Sequence, residues 1–129
     1  MRAAAACLAC LALSGCAPDE TLFKYGAAGK VWQLTELGGT PFGARATISF
    51  GEDGAVSGHA PCNRYASRQS EPYPWFKLDP IMSTNMACSE LAAESAFFTE
   101  LRRMQLAEVG NRVLILSTQS GDKMIFEAQ

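Results

Sequence analysis

The residues with the most evident chemistry in this sequence are two cysteines, one histidine and one carboxylate. His59 and Cys62 have the H-x-x-C spacing of a metal site, and Cys88 could supply a third ligand. The same two cysteines could instead form a disulfide, cycle as a redox pair or remain free thiols. Glu94 lies within a predicted helix, where a buried carboxylate could act as a general acid or base.

Metal binding and catalysis are the weaker interpretations of these residues. A zinc site normally has three or four Cys, His or carboxylate ligands, and the predicted domain, residues 29–129, contains no fourth Cys or His. His59 is the only histidine, and no serine occurs in a G-x-S-x-G or S-x-x-K motif. We therefore predict no metal, no cofactor and no catalytic residues. An enzyme using Glu94 or His59 is the least favoured alternative.

The N-terminus has the pattern of a signal peptide. Arg2 precedes an apolar run over residues 3–13, which is too short to span a membrane. Leu-Ser-Gly-Cys at residues 13–16 resembles a bacterial lipobox, which predicts a signal peptide over residues 1–15 and lipidation of Cys16. The alternative is an ordinary secreted protein cleaved nearby. Residues 16–28 are predicted to be a tether.

Lipidation of Cys16 makes the membrane the first predicted partner. Ala17 follows the cysteine, with no aspartate as an inner-membrane retention signal. The predicted location in a diderm host is therefore the periplasmic leaflet of the outer membrane. Cys7 and Cys10 leave with the signal peptide, so their C-x-x-C spacing carries no redox or metal function.

An oxidising envelope favours a disulfide between Cys62 and Cys88. Disulfides persist in such compartments, and these two cysteines are an even pair once Cys16 carries lipid. Cys62 follows a predicted hairpin strand and Cys88 precedes a predicted helix, so a bridge could join sheet to helix. A thiol-redox protein that cycles this pair is the main alternative function.

Composition predicts one globular domain that does not bind nucleic acid. The sequence has 129 residues, of which 48% are hydrophobic and 19% charged. It contains 11 Lys and Arg residues and 13 Asp and Glu residues, which give a formal net charge of −2, and no basic cluster is evident in the sequence. Nucleic-acid binding normally requires a basic patch or stripe.

Alternating apolar residues predict several strands. VWQLTEL at 31–37 and ARATISF at 44–50 alternate, and Asp53-Gly54 predicts a hairpin turn into AVSGHA. Residues 61–74 are predicted to be a loop, followed by a short strand at 75–78. RVLILST and KMIFEA flank QSGD as a second hairpin. Residues 113–116 are apolar on both faces, which predicts cover on both sides.

A helix is predicted from Ser89 to about Ala107, with Ser89 as the N-cap. Its apolar face is formed by five residues: Leu91, Phe97, Phe98, Leu101 and Met104. Glu94 falls in the middle of that face. Burying a carboxylate is costly unless it is hydrogen-bonded, so we expect Glu94 to reach loop backbone amides or an arginine.

The order of these elements resembles the META domain (HslJ-like) family over about residues 29–126. The matching motif residues are Trp32, Gly54, Gly58, Cys62, Asn63, Tyr65, Thr84, Met86, Cys88 and Glu94. Among these, Trp32, Gly58, Thr84, Met86 and Glu94 are predicted to be structural. Pro61 and Asn85 depart from the family pattern, which commonly has glycine and arginine there.

The resemblance implies an α+β domain over residues 29–129. Its expected form is a strongly curved antiparallel β-sheet or small barrel with one main α-helix packed on it. Family members are often envelope lipoproteins or secreted proteins linked to stress and antibiotic tolerance, without an established catalytic reaction. The predicted function is a noncatalytic binding or envelope stress-maintenance role, with an envelope protein as a further partner of unknown identity. The candidate binding surface is Asn63, Arg64 and Tyr65.

Overall fold

The computed structural model describes residues 15–129, so the predicted signal peptide lies almost entirely outside it. The α-helix α1 is Leu91–Arg103, and two short 3-10 helices are Leu22–Tyr25 and Glu52–Gly54. The strands are β1 (Trp32–Leu37), β2 (Thr40–Pro41), β3 (Thr47–Phe50), β4 (Ala55–His59), β5 (Arg64–Arg68), β6 (Met82–Ser83), β7 (Leu106–Val109), β8 (Val113–Ser117) and β9 (Lys123–Ala128). No helix within residues 15–129 is long and apolar enough to cross a membrane.

The strands form one antiparallel sheet with the order β6-β5-β4-β3-β1-β9-β8-β7, and β2 pairs with β1 beside this path. The pairing of β1 with β9 joins the hairpins of the N-terminal half to those of the C-terminal half. The sheet is curled but open, because β6 and β7 at its two edges do not pair with each other. The predicted α+β class is confirmed in its curved-sheet form.

The chain after β5 contacts both sides of the sheet opening. On the β7 side, the Ala107 amide donates to the Pro74 carbonyl at 2.8 Å. On the other side, the Asp79 amide donates to the Arg68 carbonyl at 2.8 Å. Phe76, 1% exposed, fills the core between these two attachments. This segment therefore covers the gap that strand pairing leaves open.

The core lies between one face of the sheet and one face of α1. Trp32 and Leu34 on β1 are at most 1% exposed, as the alternation predicts. The expected inward residues of the next strand region, Ala46, Ile48 and Phe50, are also buried. Sequence alternation therefore identifies the inner face of these two strands correctly.

The helix is shorter than predicted at both ends. It begins after Glu90 rather than at a Ser89 cap, and neither side chain makes a capping hydrogen bond. Leu91 is 44% exposed, so it is not a core residue. At the other end the backbone turns extended at Met104. Residues 106–109 then form β7 because they pair with the apolar strand β8, and this tertiary pairing outweighs their helix-compatible pattern.

The loop predicted over residues 61–74 contains the strand β5. Arg64–Arg68 pairs along its whole length with Ala55–His59 of β4. Its outward residues are Arg64, Ala66 and Arg68, and Tyr65 is its only buried residue. The sequence therefore lacks the apolar alternation that would identify this strand. The strand predicted at residues 75–78 is also wrong, since that stretch makes only isolated bridges at Trp75 and Leu78.

The predicted tether is too long, because the chain joins the folded domain well before residue 28. Leu22 and Ala27 are completely buried. The Asp19 carboxylate accepts hydrogen bonds from the Thr21 amide and hydroxyl at 2.9 and 2.6 Å. Its other oxygen accepts the Asp53 amide at 3.1 Å. The Thr21 hydroxyl bond lowers the pKa of Asp19 below its ordinary value.

The strand β8 is covered on one face rather than on both. Leu114 and Leu116 are fully buried, whereas Val113 is 39% exposed and Ile115 is only partly buried. The prediction of two covered faces is therefore wrong. The outer face of β8 carries aliphatic side chains although it is solvent-accessible, and the structure gives no physical reason for that choice.

Candidate functional site

The predicted disulfide between Cys62 and Cys88 is present. Their Cα atoms are 5.6 Å apart, and the bridge spans 26 residues of sequence. Cys62 lies at the tip of the hairpin that joins β4 to β5, and Cys88 lies just before α1. The bridge therefore fixes a sheet hairpin to the start of the helix. Closing a loop of this size contributes roughly 3–4 kcal/mol in the chain-entropy account.

Glu94 completes the hairpin tip from the helix side. The turn is tight, because the Ala60 amide already donates to the Asn63 carbonyl at 2.7 Å. The amides of Cys62 and Asn63 donate instead to Glu94 Oε2 at 2.7 and 2.8 Å. The carboxylate is 7% exposed. This geometry confirms that Glu94 reaches loop backbone amides, and it explains an acidic residue on an apolar helix face.

The Asn63 side chain connects the hairpin tip to the segment before the helix. Its Nδ2 donates to Glu94 Oε1 at 2.6 Å and to the Met86 carbonyl at 3.0 Å. Its Oδ1 accepts the Met86 amide at 2.6 Å and the Thr84 hydroxyl at 2.9 Å. All four hydrogen-bonding positions of the amide are therefore used. We call Asn63, Thr84, Met86 and Glu94 the polar clamp.

Gly58 and Tyr65 support the polar clamp from inside the sheet. The Tyr65 hydroxyl donates to the Thr47 carbonyl at 2.7 Å. A Cβ atom on Gly58 would lie 2.1 Å from that carbonyl oxygen, so no other residue permits the close approach. The Tyr65 ring packs edge-on against Phe97 and Phe98 of α1, at 5.7 and 5.4 Å between centroids. Burial raises the pKa of the Tyr65 phenol.

Two of the three predicted binding residues are therefore not at the surface. Asn63 is 6% exposed and Tyr65 is 4% exposed, and both serve the fold. Only Arg64 points outward, because it lies between them on a strand whose side chains alternate. The binding surface predicted from sequence reduces to this one residue.

Arg64 shares its surface with two residues from other parts of the chain. His59 lies directly opposite it on β4. Arg45, just before β3, joins both in lining two adjoining cavities of about 440 and 250 Å³. Within the described part of the chain, residues 15–129, no acidic side chain lines either cavity. We call Arg45, His59 and Arg64 the Arg64 face. Sequence analysis missed Arg45, because only the folded sheet brings it near His59.

The charges of this face are not neutralised within the described chain. Every ion pair formed in residues 15–129 involves Arg103, which binds Glu100 and Asp122. Arg45 and Arg64 therefore have no carboxylate partner in this range. The Glu94 carboxylate binds the hairpin tip, but this residue is buried. The face is a local positive site on an acidic protein.

The disulfide also bears on the metal hypothesis. Both sulfur atoms are joined to each other, so His59 lacks the two thiolates that the H-x-x-C reading requires. Residues 15–129 contain no group of three His, Cys, Asp or Glu side chains placed to hold a metal ion. The site that does form here presents guanidinium and hydroxyl donors, which suit an anion rather than a cation.

These features define an α+β domain in which a curled antiparallel sheet is fastened to one helix by a disulfide and a buried asparagine–glutamate network. The sequence matches the META domain family over residues 26–129, and the protein belongs to this family. The matched range includes the hairpin tip, the segment before α1 and the helix itself. No curated protein is significantly similar to the chain.

Solved structures share this fold at low sequence identity. An NMR structure of a protein from Burkholderia xenovorans superposes with a TM-score of 0.64 and 20% identity, covering 89% of this chain and 93% of that one. A crystal structure of a DUF4847 family protein from Bacteroides vulgatus gives 0.63 and 15%, covering 84% and 96%. At these identities the likeness concerns the fold alone.

Proposed function

We propose that the protein is a lipid-anchored envelope protein with a noncatalytic binding role, carried out by the Arg64 face. The observation that carries this proposal is that Cys62 and Cys88 form a disulfide while Cys16 stays outside it. Within residues 15–129, Cys16 is exposed and is the only cysteine outside a disulfide. It follows the lipobox-like residues 13–15 directly. A disulfide elsewhere in the domain suits the oxidising compartment to which a lipoprotein signal would deliver the chain.

The placement of Glu94 and His59 supports a noncatalytic role. Glu94 is buried and its two oxygens accept three hydrogen bonds from the hairpin tip. Among residues 15–129 it makes no hydrogen bond to another titratable side chain, and a substrate could reach it only by breaking the polar clamp. His59 is exposed, but its neighbours on the Arg64 face are arginines and hydroxyls. Binding is the activity that such a surface supports best.

Processing and location test the anchored half of the proposal. We expect signal cleavage between Gly15 and Cys16, and intact-mass analysis to find an acylated Cys16. In fractionation of a diderm host, wild type is expected in the outer membrane and Cys16→Ser in the soluble or inner-membrane fraction. The Cys62→Ser/Cys88→Ser double variant is the control, because it should keep its lipid. A soluble wild-type protein without lipid mass would contradict the proposal.

Partner capture tests the binding half. Wild type, Arg64→Ala and Arg102→Ala would be cross-linked in intact envelopes, with Arg102 as a matched exposed arginine that lines a different cavity. An envelope stress-maintenance role predicts one enriched component that is lost in Arg64→Ala only. Equal recovery from all three proteins would argue against this face as the protein-binding surface.

Thiol-redox activity is the second candidate function, because Cys88 is exposed and reachable by an attacking thiolate. The polar clamp argues against cycling, since it holds the Cys62 amide and the segment before Cys88 in fixed positions. Equilibration with thiol buffers separates the two functions. A structural bridge is expected to stay oxidised until the buffer potential falls below about −300 mV, whereas a cycling bridge would be reduced at higher potentials.

A further inference from the structure

We propose that the Arg64 face is a binding site for a phosphate-bearing small molecule. Its larger cavity, about 440 Å³, is lined by Arg45, His59 and Arg64 together with hydroxyl residues. This volume lies within the range of small-molecule sites in proteins, roughly 300–1,000 Å³. A phosphate group and a small organic substituent fit in that space.

The chemistry of the lining selects an oxyanion. Guanidinium groups are planar forks that match phosphate and carboxylate oxygens with paired hydrogen bonds. Thr47, Ser49 and Ser57 add hydroxyls to the same cavity, and no Asp or Glu side chain lines it. Two arginines together supply two positive charges, which match a phosphate dianion better than a single carboxylate.

The strands hold these groups in fixed relative positions. His59 and Arg64 face each other in register across β4 and β5. The Thr47 hydroxyl accepts the His59 amide at 3.0 Å, which leaves its own proton available to a ligand. The disulfide and the polar clamp fix the hairpin tip just beyond Arg64. Only the arginine and histidine side chains need to adjust when an anion enters.

The position of the face favours a soluble ligand over a headgroup of the membrane that holds the protein. Asp19 is bonded to Asp53, in the turn that precedes β4. Asp19 is only three residue steps after Cys16, which limits the link to about 11 Å. His59 lies at the other end of β4, roughly 13 Å beyond Ala55. The choice of a soluble source therefore rests on the proposed lipid anchor, whereas phosphate binding itself does not.

Calorimetric titration with inorganic phosphate at constant ionic strength tests the site. The processed protein, in detergent if it carries lipid, is expected to bind phosphate saturably. Arg64→Gln removes a charge-assisted contact, so we expect affinity to fall by about tenfold or more. Arg102→Gln makes the same change in net charge at an exposed arginine that lines a different cavity, and is expected to stay within about twofold of wild type. Absence of saturable heat, or equal weakening by both variants, would overturn the site.

A second arm identifies the source of the phosphate. Lipidated protein is inserted into phosphatidylcholine vesicles with or without phosphatidylglycerol, at about 0.15 M salt. At this salt concentration the charge of the vesicle surface is largely screened beyond roughly 8 Å. We expect the same affinity for inorganic phosphate in both vesicles. Weaker binding with phosphatidylglycerol would mean that headgroups compete, and would overturn the soluble source. A protein that lacks lipid but binds phosphate would refute only the anchored orientation and the proposed anchoring.

Discussion

Asn63 and Arg64 are adjacent in sequence and belong to two opposite kinds of polar site. Asn63 is buried, and all four of its side-chain hydrogen-bonding positions are satisfied within the protein. Arg64 is exposed, and its guanidinium group has no acidic partner in residues 15–129. Polar groups that stabilise a fold are satisfied internally, whereas groups kept for a ligand stay accessible. Strand alternation alone separates the two roles.

The same comparison reinterprets the family motif. Most of the polar motif residues in this chain belong to the polar clamp or the disulfide and not to a binding surface. The motif therefore describes how a hairpin tip is attached to a helix. The residues that could recognise a ligand lie beside the motif, and Arg45 lies outside it altogether.

Among variants of the buried polar clamp and the disulfide, removal of the disulfide is expected to lower the free energy of unfolding most. The Cys62→Ser/Cys88→Ser variant should lose roughly 3–4 kcal/mol of unfolding free energy, because its unfolded chain regains the freedom of a 26-residue loop. Denaturant unfolding measures this loss. Cys16→Ser is the control and is expected to unfold like wild type. If the double variant matched wild type, the bridge would not be a structural one.

Glu94→Gln is expected to have the next largest effect. An amide cannot accept all three hydrogen bonds that the carboxylate accepts, so at least one buried donor at the hairpin tip loses its partner. The expected loss is about 1–3 kcal/mol. Glu90→Gln is the matched control, since Glu90 is exposed on the same end of the helix. Equal losses in the two variants would contradict a special role for the clamp carboxylate.

Tyr65→Phe removes one buried hydrogen bond and is expected to cost about 1 kcal/mol at neutral pH. Burial raises the pKa of Tyr65, whereas the unfolded phenol ionises near pH 10. Above about pH 10 the folded state therefore binds more protons than the unfolded state, and wild-type stability falls as pH rises. The phenylalanine variant lacks this term. We expect the stability gap to be constant below about pH 9.5 and to close near pH 11.

Urea unfolding of both proteins between pH 7 and 11 measures this gap. Tyr25→Phe is the control at neutral pH, because Tyr25 is 52% exposed and donates no hydrogen bond to the core. A gap that stayed constant through pH 11 would show that the Tyr65 phenol ionises equally in the folded and unfolded states.

The sequence predicts the inner faces of the strands better than it predicts where the strands lie. Trp32 and Ile48 are recognisable as core residues because alternation is a local signal. The strand β5 is missed because Tyr65 is its only large apolar residue, and its other four residues are polar or small. The strand β7 is missed because Leu106–Val109 fits a helix equally well until β8 is placed beside it.

The same distinction applies to the candidate site. The disulfide is predictable because the expected compartment is oxidising. The hydrogen bonds of Glu94 are predictable because burying an unpaired carboxylate is costly. The burial of Asn63 and Tyr65 depends on the register between β5 and β4, which no local pattern specifies. Arg45 comes near His59 through the pairing of β3 with β4, and its sequence context of alternating residues gives no sign of a ligand.

Arg64→Gln is expected to have the smallest effect on stability and therefore gives the sharpest test of the comparison. Within residues 15–129, Arg64 is tied to the clamp through its backbone: its amide donates to the Thr84 hydroxyl at 3.2 Å, and its carbonyl accepts the Thr84 amide at 3.0 Å. Both bonds are kept in the variant. An exposed side chain without such ties usually changes stability by no more than about 0.5 kcal/mol. Denaturant unfolding is therefore expected to match wild type while phosphate affinity falls. A loss of stability similar to that of Glu94→Gln would mean that Arg64 belongs to the clamp, and that its exposure reflects the fold and not a ligand.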